Sequence, residues 1–162
     1  MKQLSIFIFL LTSFTASAQS SCPIKRAYAY YTVNMPGMIR VDDNGNQVRP
    51  DPMIERVIYI ECYTPGLVVP DSALYGNVYV KFKIERIKGQ HVNVGKKTTD
   101  GKYFTFTARK GYYLWKLQME TMSESSGAAL NCKNIVLKPR AAGKTCTFKL
   151  NMETELEGIP RY

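Results

Sequence analysis

The sequence predicts an all-β protein, a single-domain antiparallel sandwich or barrel of eight to nine short strands in the Ig-like class. Three observations predict it. Turn signals built on Gly, Pro, Asn and Asp recur at short intervals after residue 18. The runs between them are rich in Val, Ile, Tyr and Phe, and the clearest of them alternates apolar and polar residues. No segment carries the 3.6-residue period of an amphipathic helix.

The elements follow in order. Arg26 to Val33 is a Tyr- and Val-bearing strand that ends at Asn34-Met35-Pro36-Gly37. Met38 to Val41 and Gln47 to Arg49 flank Asp42-Asp43-Asn44-Gly45-Asn46, a hairpin signal because Asn-Gly tolerates positive φ. After Arg49-Pro50-Asp51-Pro52, Ile54 to Tyr63 is a continuous apolar-rich strand closed by Thr64-Pro65-Gly66. In Asn77 to Ile87, Val78, Val80, Phe82 and Ile84 alternate with Tyr79, Lys81, Lys83 and Glu85, which predicts one core face and one wet face. Gly89 turns the chain into His91 to Val94, and Asp100-Gly101 separates that run from Tyr103 to Arg109, with Phe104, Phe106 and Ala108 on one side. Lys110-Gly111 leads into Tyr112 to Glu120, with Tyr113, Trp115, Leu117 and Met119 as the inner set. Thr121 to Asn131 reads as a loop, and Asn134 to Lys138 and Thr145 to Asn151 close the series.

The first 18 residues read as an export leader. Lys2 precedes the apolar run Leu4 to Phe14, and Ala16-Ser17-Ala18 supplies an A-x-A cleavage site. The run is too short to span a bilayer as a helix, which takes about 20 residues. Cleavage would leave residues 19–162 as one β domain that starts at Gln19 outside the cytoplasm, periplasmic or extracellular, with no transmembrane segment. All four cysteines, Cys22, Cys62, Cys132 and Cys146, lie in that part. An even number in an exported chain predicts two disulfides. Sequential pairing, Cys22 with Cys62 and Cys132 with Cys146, is favoured, and Cys62 with Cys146 across two sheets is the alternative. Lipidation of Cys22 is disfavoured, because Gln19-Ser20-Ser21 lacks the Leu expected three residues before a lipoprotein cysteine.

The full sequence carries a net charge of +9. Residues 81–149 hold fifteen basic and four acidic side chains, whereas residues 19–80 are nearly balanced and residues 150–162 are acidic. One part of the domain is therefore electropositive.

Enzyme signatures are missing from the sequence. His91 is the only histidine, so histidine-cluster metal sites are excluded, and a nucleophile–histidine pair would have to use it. No G-x-S-x-G elbow, P-loop or G-x-G-x-x-G occurs. Asp42 to Asn46 departs from a calcium loop, with Gln47 where that loop needs Gly. Glu55, Glu61 and Glu85 lie on strands, where a glutamate is ordinarily a wet-face residue. Eleven tyrosines supply amphipathic rings. The outward stripe of Tyr79, Lys81 and Lys83, with Arg109, Lys110 and Lys116, is the candidate ligand-binding face. Tyrosine and lysine together can stack sugar rings and hold anionic groups.

Two segments carry a family resemblance. Pro70-Asp71-Ser72-Ala73, then Gly76 to Ile84, Gly89 and Val92-Asn93-Val94 resemble the first hairpin of TonB-type C-terminal domains. Lys138-Pro139, Gly143-Lys144 and Phe148 to Leu156 resemble that family's last strands. The resemblance implies a periplasmic protein-contact domain. The chain departs from the family where its helix would lie, because Tyr103 to Glu120 reads as two strands, and in lacking a membrane anchor followed by a Pro-rich spacer.

The expected function is a non-enzymatic binding or structural module of the cell envelope or extracellular space. It would present a basic Tyr/Lys face to anionic polysaccharide, lipid headgroups or an envelope protein, without a metal or cofactor; nucleic acid is disfavoured. The alternatives are an assembly or scaffolding subunit, fimbrial or TonB-domain-like, and a hydrolase using strand carboxylates.

Overall fold

The computed structural model describes residues 22–34, 40–48, 52–63, 71–120, 133–141 and 144–158. The leader of residues 1–18, the start at Gln19, the turns at 35–37 and 64–66, the loop 121–131 and Cys132 lie outside the described residues.

The chain forms β1 (Ile24–Asn34), β2 (Arg40–Val41), β3 (Gln47–Val48), β4 (Met53–Cys62), β5 (Ser72–Tyr75), β6 (Val78–Arg86) and β7 (His91–Lys96). It continues through β8 (Tyr103–Thr107), β9 (Tyr113–Met119), β10 (Ile135–Leu137), β11 (Arg140–Ala141), β12 (Lys144–Thr145), β13 (Phe148–Leu150) and β14 (Glu153–Leu156). No helix occurs among the described residues. The β2–β3 hairpin closes as its turn residues require. The Asp42 carboxylate accepts the N–H groups of Asn44 (3.0 Å) and Asn46 (2.7 Å), and Gly45 takes φ 82°. That carboxylate is therefore occupied by its own turn.

Eight strands make one sheet in the order β13-β10-β5-β6-β9-β4-β1-β14. All pairs are antiparallel except β1 with β14, so the sheet is mixed where a purely antiparallel one was expected. Its edges, β13 and β14, are joined by only Asn151 and Met152. Eight strands laid flat span about 34 Å, while the three Cα steps from Leu150 to Glu153 reach about 11 Å. The sheet must therefore curl until its edges meet, and the result is a nearly closed barrel.

The inner face holds the larger core: Ile24, Ala27, Ala29, Ile58, Ile60, Cys62, Ala73, Tyr75, Val80, Phe82, Leu117, Ile135 and Leu137. The alternation in β6 directs this, with Val80 and Phe82 buried and Tyr79, Lys81 and Lys83 exposed. Val78, expected inside, is 41% exposed because it opens the strand beside the Gly76-Asn77 turn. A bulge at Lys25 lets Ile24 face the core and still brings Arg26 opposite Glu61.

A second core lies outside the barrel. The β7–β8 hairpin folds over β1, β4 and β9, and packs Phe106, Ala108, Phe104, Val92 and Val94 on Tyr30, Tyr59, Leu114 and Leu156. This corrects the expectation that Glu61, as a strand glutamate, lies on a wet face: it is 0% exposed, and Tyr59 on the same side of β4 is 6% exposed. Leu114, outside the expected inner set, is fully buried for the same reason.

The expected cysteine pairing is also overturned. Cys22 bonds Cys146, with their Cα atoms 5.4 Å apart, which removes both Cys22–Cys62 and Cys62–Cys146. Ile24, not Cys22, lies opposite Cys62 in the β1–β4 register. Cys22 precedes β1 and Cys146 precedes β13, so the bond ties the two sides of the barrel's seam.

Candidate functional site: a basic groove at one end of the barrel

The antiparallel pairing brings the start of β1, the end of β4, the end of β6 and the start of β9 to the same end of the barrel. Two turns leave the sheet there. The first runs through Lys88, Gly89 and Gln90, with Gly89 at φ 119°, and the second through Arg109, Lys110 and Gly111, with Gly111 at φ 83°. Positive φ is costly for any residue with a Cβ, so both turns depend on glycine. The Ala108 N–H bonds the Gln90 carbonyl (2.6 Å) and the Tyr112 N–H bonds the Arg109 carbonyl (3.0 Å).

Between the turns lies an open groove of about 570 Å³, lined by Arg86, Ile87, Lys88, Gly89, Gln90, Gly111, Tyr112 and Tyr113. Among the described residues no acidic side chain lines it. Arg86 ends β6 opposite Trp115, and its guanidinium lies 4.6 Å from the centre of the Tyr113 ring. The ring orders the side chain. Among the described residues Arg86 has no carboxylate partner. Tyr112 and Tyr63 meet edge to face, their centres 6.5 Å apart, which extends the aromatic wall.

The groove wall is anchored from beneath. Glu61 accepts the Arg109 N–H through Oε1 (2.7 Å) and pairs with Arg26 through Oε2. Arg26 also donates to the Thr107 carbonyl (2.8 Å) and lies over the Phe106 ring. Burial by itself would raise the Glu61 pKa, but the Arg26 guanidinium and the Arg109 N–H outweigh it and hold the carboxyl below its ordinary value. Glu61 thereby neutralises Arg26 and does not itself line the groove.

The six residues expected to form the ligand face separate into two groups. Tyr79, Lys81 and Lys83 stand on the outer face of β6, which the β7–β8 hairpin leaves open, and Lys116 stands beside them on β9. Acids temper that strip. Glu85 lies opposite Lys116, and the Glu120 N–H bonds the Lys81 carbonyl. Arg109 and Lys110 belong to the groove end; Arg86 there is five residues along β6 from Lys81, about 17 Å. Sequence reading missed Arg86, Lys88, Tyr112 and Tyr113. Their signal was a pair of basic, glycine-bearing turns, one at the end and one at the start of consecutive long strands; only the β6–β9 register places them together. His91 is exposed at the start of β7, as expected of a turn histidine. Among the described residues no group of three or more His, Cys, Asp or Glu side chains is placed to hold a metal.

No protein-family model matches the chain, and neither a curated protein nor a solved structure aligns with it significantly.

Proposed function

We propose that the chain is an exported, non-catalytic binding module of the cell envelope or extracellular space, and that its basic groove holds an anionic partner. The observation that carries this reading is Arg86, ordered on Tyr113 at a groove where, among the described residues, it has no carboxylate partner and no acid lines the wall. Guanidinium groups bind carboxylate, sulfate and phosphate through paired N–H donors, and an ordered one loses less entropy on binding. Lys88, Arg109 and Lys110 add positive potential around it, and Tyr79, Lys81, Lys83 and Lys116 form a second, partly neutralised strip. Export is supported by the leader-like first 18 residues and the Cys22–Cys146 bond. The strand carboxylates Glu61 and Glu153 are each committed to an arginine, and neither lines the groove.

The test is titration with heparin-like and lipopolysaccharide ligands at rising ionic strength. Binding should weaken with salt as the screening length shortens from about 10 Å at 0.1 M toward 3 Å at 1 M. Arg86→Ala should cost about tenfold or more in affinity, the scale of one charge-assisted hydrogen bond. Absence of binding at low ionic strength sinks the proposal.

A further inference from the structure

We infer that the unit held in the groove is an acidic sugar: a saccharide ring bearing a carboxylate or sulfate, within a longer chain. The inference rests on the anionic-partner reading above and names its ligand class. The groove offers three kinds of contact side by side. Arg86 presents a planar fork suited to a carboxylate or sulfate. Tyr112, braced by the exposed Tyr63, offers an aromatic surface for the C–H face of a ring. Gln90 and the tyrosine hydroxyls can exchange hydrogen bonds with sugar hydroxyls. A volume of about 570 Å³ lies within the range of small-molecule sites, roughly 300–1,000 Å³, and the groove is open to solvent.

Other anionic partners use this end of the barrel less well. An acidic peptide ordinarily binds a sheet by adding a strand to a free edge, and here β6 lies between β5 and β9 while β9 lies between β6 and β4. β9 is paired on both sides, and on its β5 side β6 leaves only Lys83 to Arg86 without a strand partner among the described residues, an edge shorter than an ordinary strand of about 5–6 residues. A lipid surface needs a broad exposed apolar patch beside its cations, whereas the apolar lining here, Ile87, Tyr112 and Tyr113, is only part-exposed and is flanked by the exposed polar side chains of Arg86, Lys88, Gln90, Arg109 and Lys110. A bare phosphate chain would leave the tyrosines unused.

The experiment compares polygalacturonate, its methyl ester, heparin, inorganic polyphosphate and phosphatidylglycerol vesicles by calorimetry at low salt, with native protein and with Arg86→Gln, Tyr112→Leu, Tyr112→Phe and Lys149→Gln. Polygalacturonate or heparin should bind more tightly than polyphosphate of equal charge, and the preference between those two assigns carboxylate or sulfate. Methyl esterification and Arg86→Gln should each weaken saccharide binding about tenfold. Tyr112→Leu should weaken it about fivefold or more without changing polyphosphate binding, Tyr112→Phe, which keeps the ring and loses only the hydroxyl, should weaken it less, and Lys149→Gln on β13 should stay near native. Polyphosphate or vesicles binding as tightly as the saccharides, with no effect of Tyr112→Leu, overturns the sugar assignment and leaves the anionic-partner reading standing. Failure of every polyanion overturns both. The ligand series on the native protein decides the matter even if Tyr112→Leu does not fold.

Discussion

Glu61 is a fully buried carboxylate whose neighbours determine its worth. It faces Arg26 across the β1–β4 pair and receives the Arg109 N–H, so it joins β1, β4 and the turn before β9. Replacing it with Ala strands the part-buried Arg26 charge and should cost about 3–5 kcal/mol, measured by urea denaturation. Glu61→Gln keeps an acceptor for the Arg109 N–H and should cost less. The pH dependence has a definite sign. Because the folded pKa lies below the ordinary value of 4.5, this stabilisation is complete above that value and is lost as pH falls through the folded pKa. Glu61→Gln should flatten that acid limb. Tyr30 and Tyr59 act at the other extreme. Burial raises both phenol pKa values, and nearby charge (Tyr28 and Tyr59 at Tyr30, Glu85 at Tyr59) adds to it. Their contribution is complete below pH 10 and is lost as pH rises beyond it, so an absorbance titration should show both rings ionising later than the exposed tyrosines and reaching the ordinary range only on unfolding.

At the scale of elements, two pieces complete the barrel from outside. The β7–β8 hairpin covers β1, β4 and β9, and Phe106, 1% exposed, is its central residue. Phe106→Ala should cost about 3–5 kcal/mol in thermal or denaturant unfolding. Strand β14 is held on both edges, by β1 in parallel and by Lys96–Thr98 on the other side. The Thr98 N–H bonds the Glu155 carbonyl and the Glu157 N–H bonds the Lys96 carbonyl. Arg56 and Glu153 add a buried ion pair at 3.1 Å. Just beyond it, a Cβ at Gly158 would stand 2.6 Å from the Val33 carbonyl oxygen. Gly158→Ala should therefore push the end of β14 away from β1 and cost about 1–3 kcal/mol, with faster amide exchange in Glu155 and Glu157 as the local readout. Strands β5 and β14 were not separate elements in the sequence reading. β5 is four residues long and sits among turn signals, and β14 is Glu-rich, so neither carries an apolar pattern. Their neighbours in the sheet supply what their own composition does not.

For the molecule as a whole, the seam between β13 and the β1–β14 pair is the weak line. It is crossed at one place by the Asn151-Met152 link and at another by Cys22–Cys146. The bond closes a loop with a sequence separation of 124 residues, so the chain-entropy model assigns it about 5 kcal/mol. Cys146→Ser should lower stability by an amount of that order, and reduction, which also opens any bond at Cys62, should cost the native protein at least as much. Peptide mapping without reduction should recover Cys22 linked to Cys146. It should also recover Cys62 linked to Cys132, the one cysteine left to it by number. A Cys22–Cys62 peptide would contradict the Cys22–Cys146 bond.

Local chemistry was enough to read the all-β class, the span of the long strands, the inner set Val80, Phe82 and Leu117, the Asp42–Asn46 turn and the outward Tyr79-Lys81-Lys83 stripe. Alternation and turn residues act between near neighbours, so they are written in the order of the residues. The groove, the second core and the disulfide partner were decided only by the tertiary structure. Arg86 meets Tyr113, Glu61 meets Arg26 and Cys22 meets Cys146 because strands distant in the chain pair in one particular register and the sheet curls until its ends are joined by two residues. Burial of a face depends on what lies over it, and nothing in Tyr59 or Glu61 states that a hairpin 30 residues or more farther along will cover them.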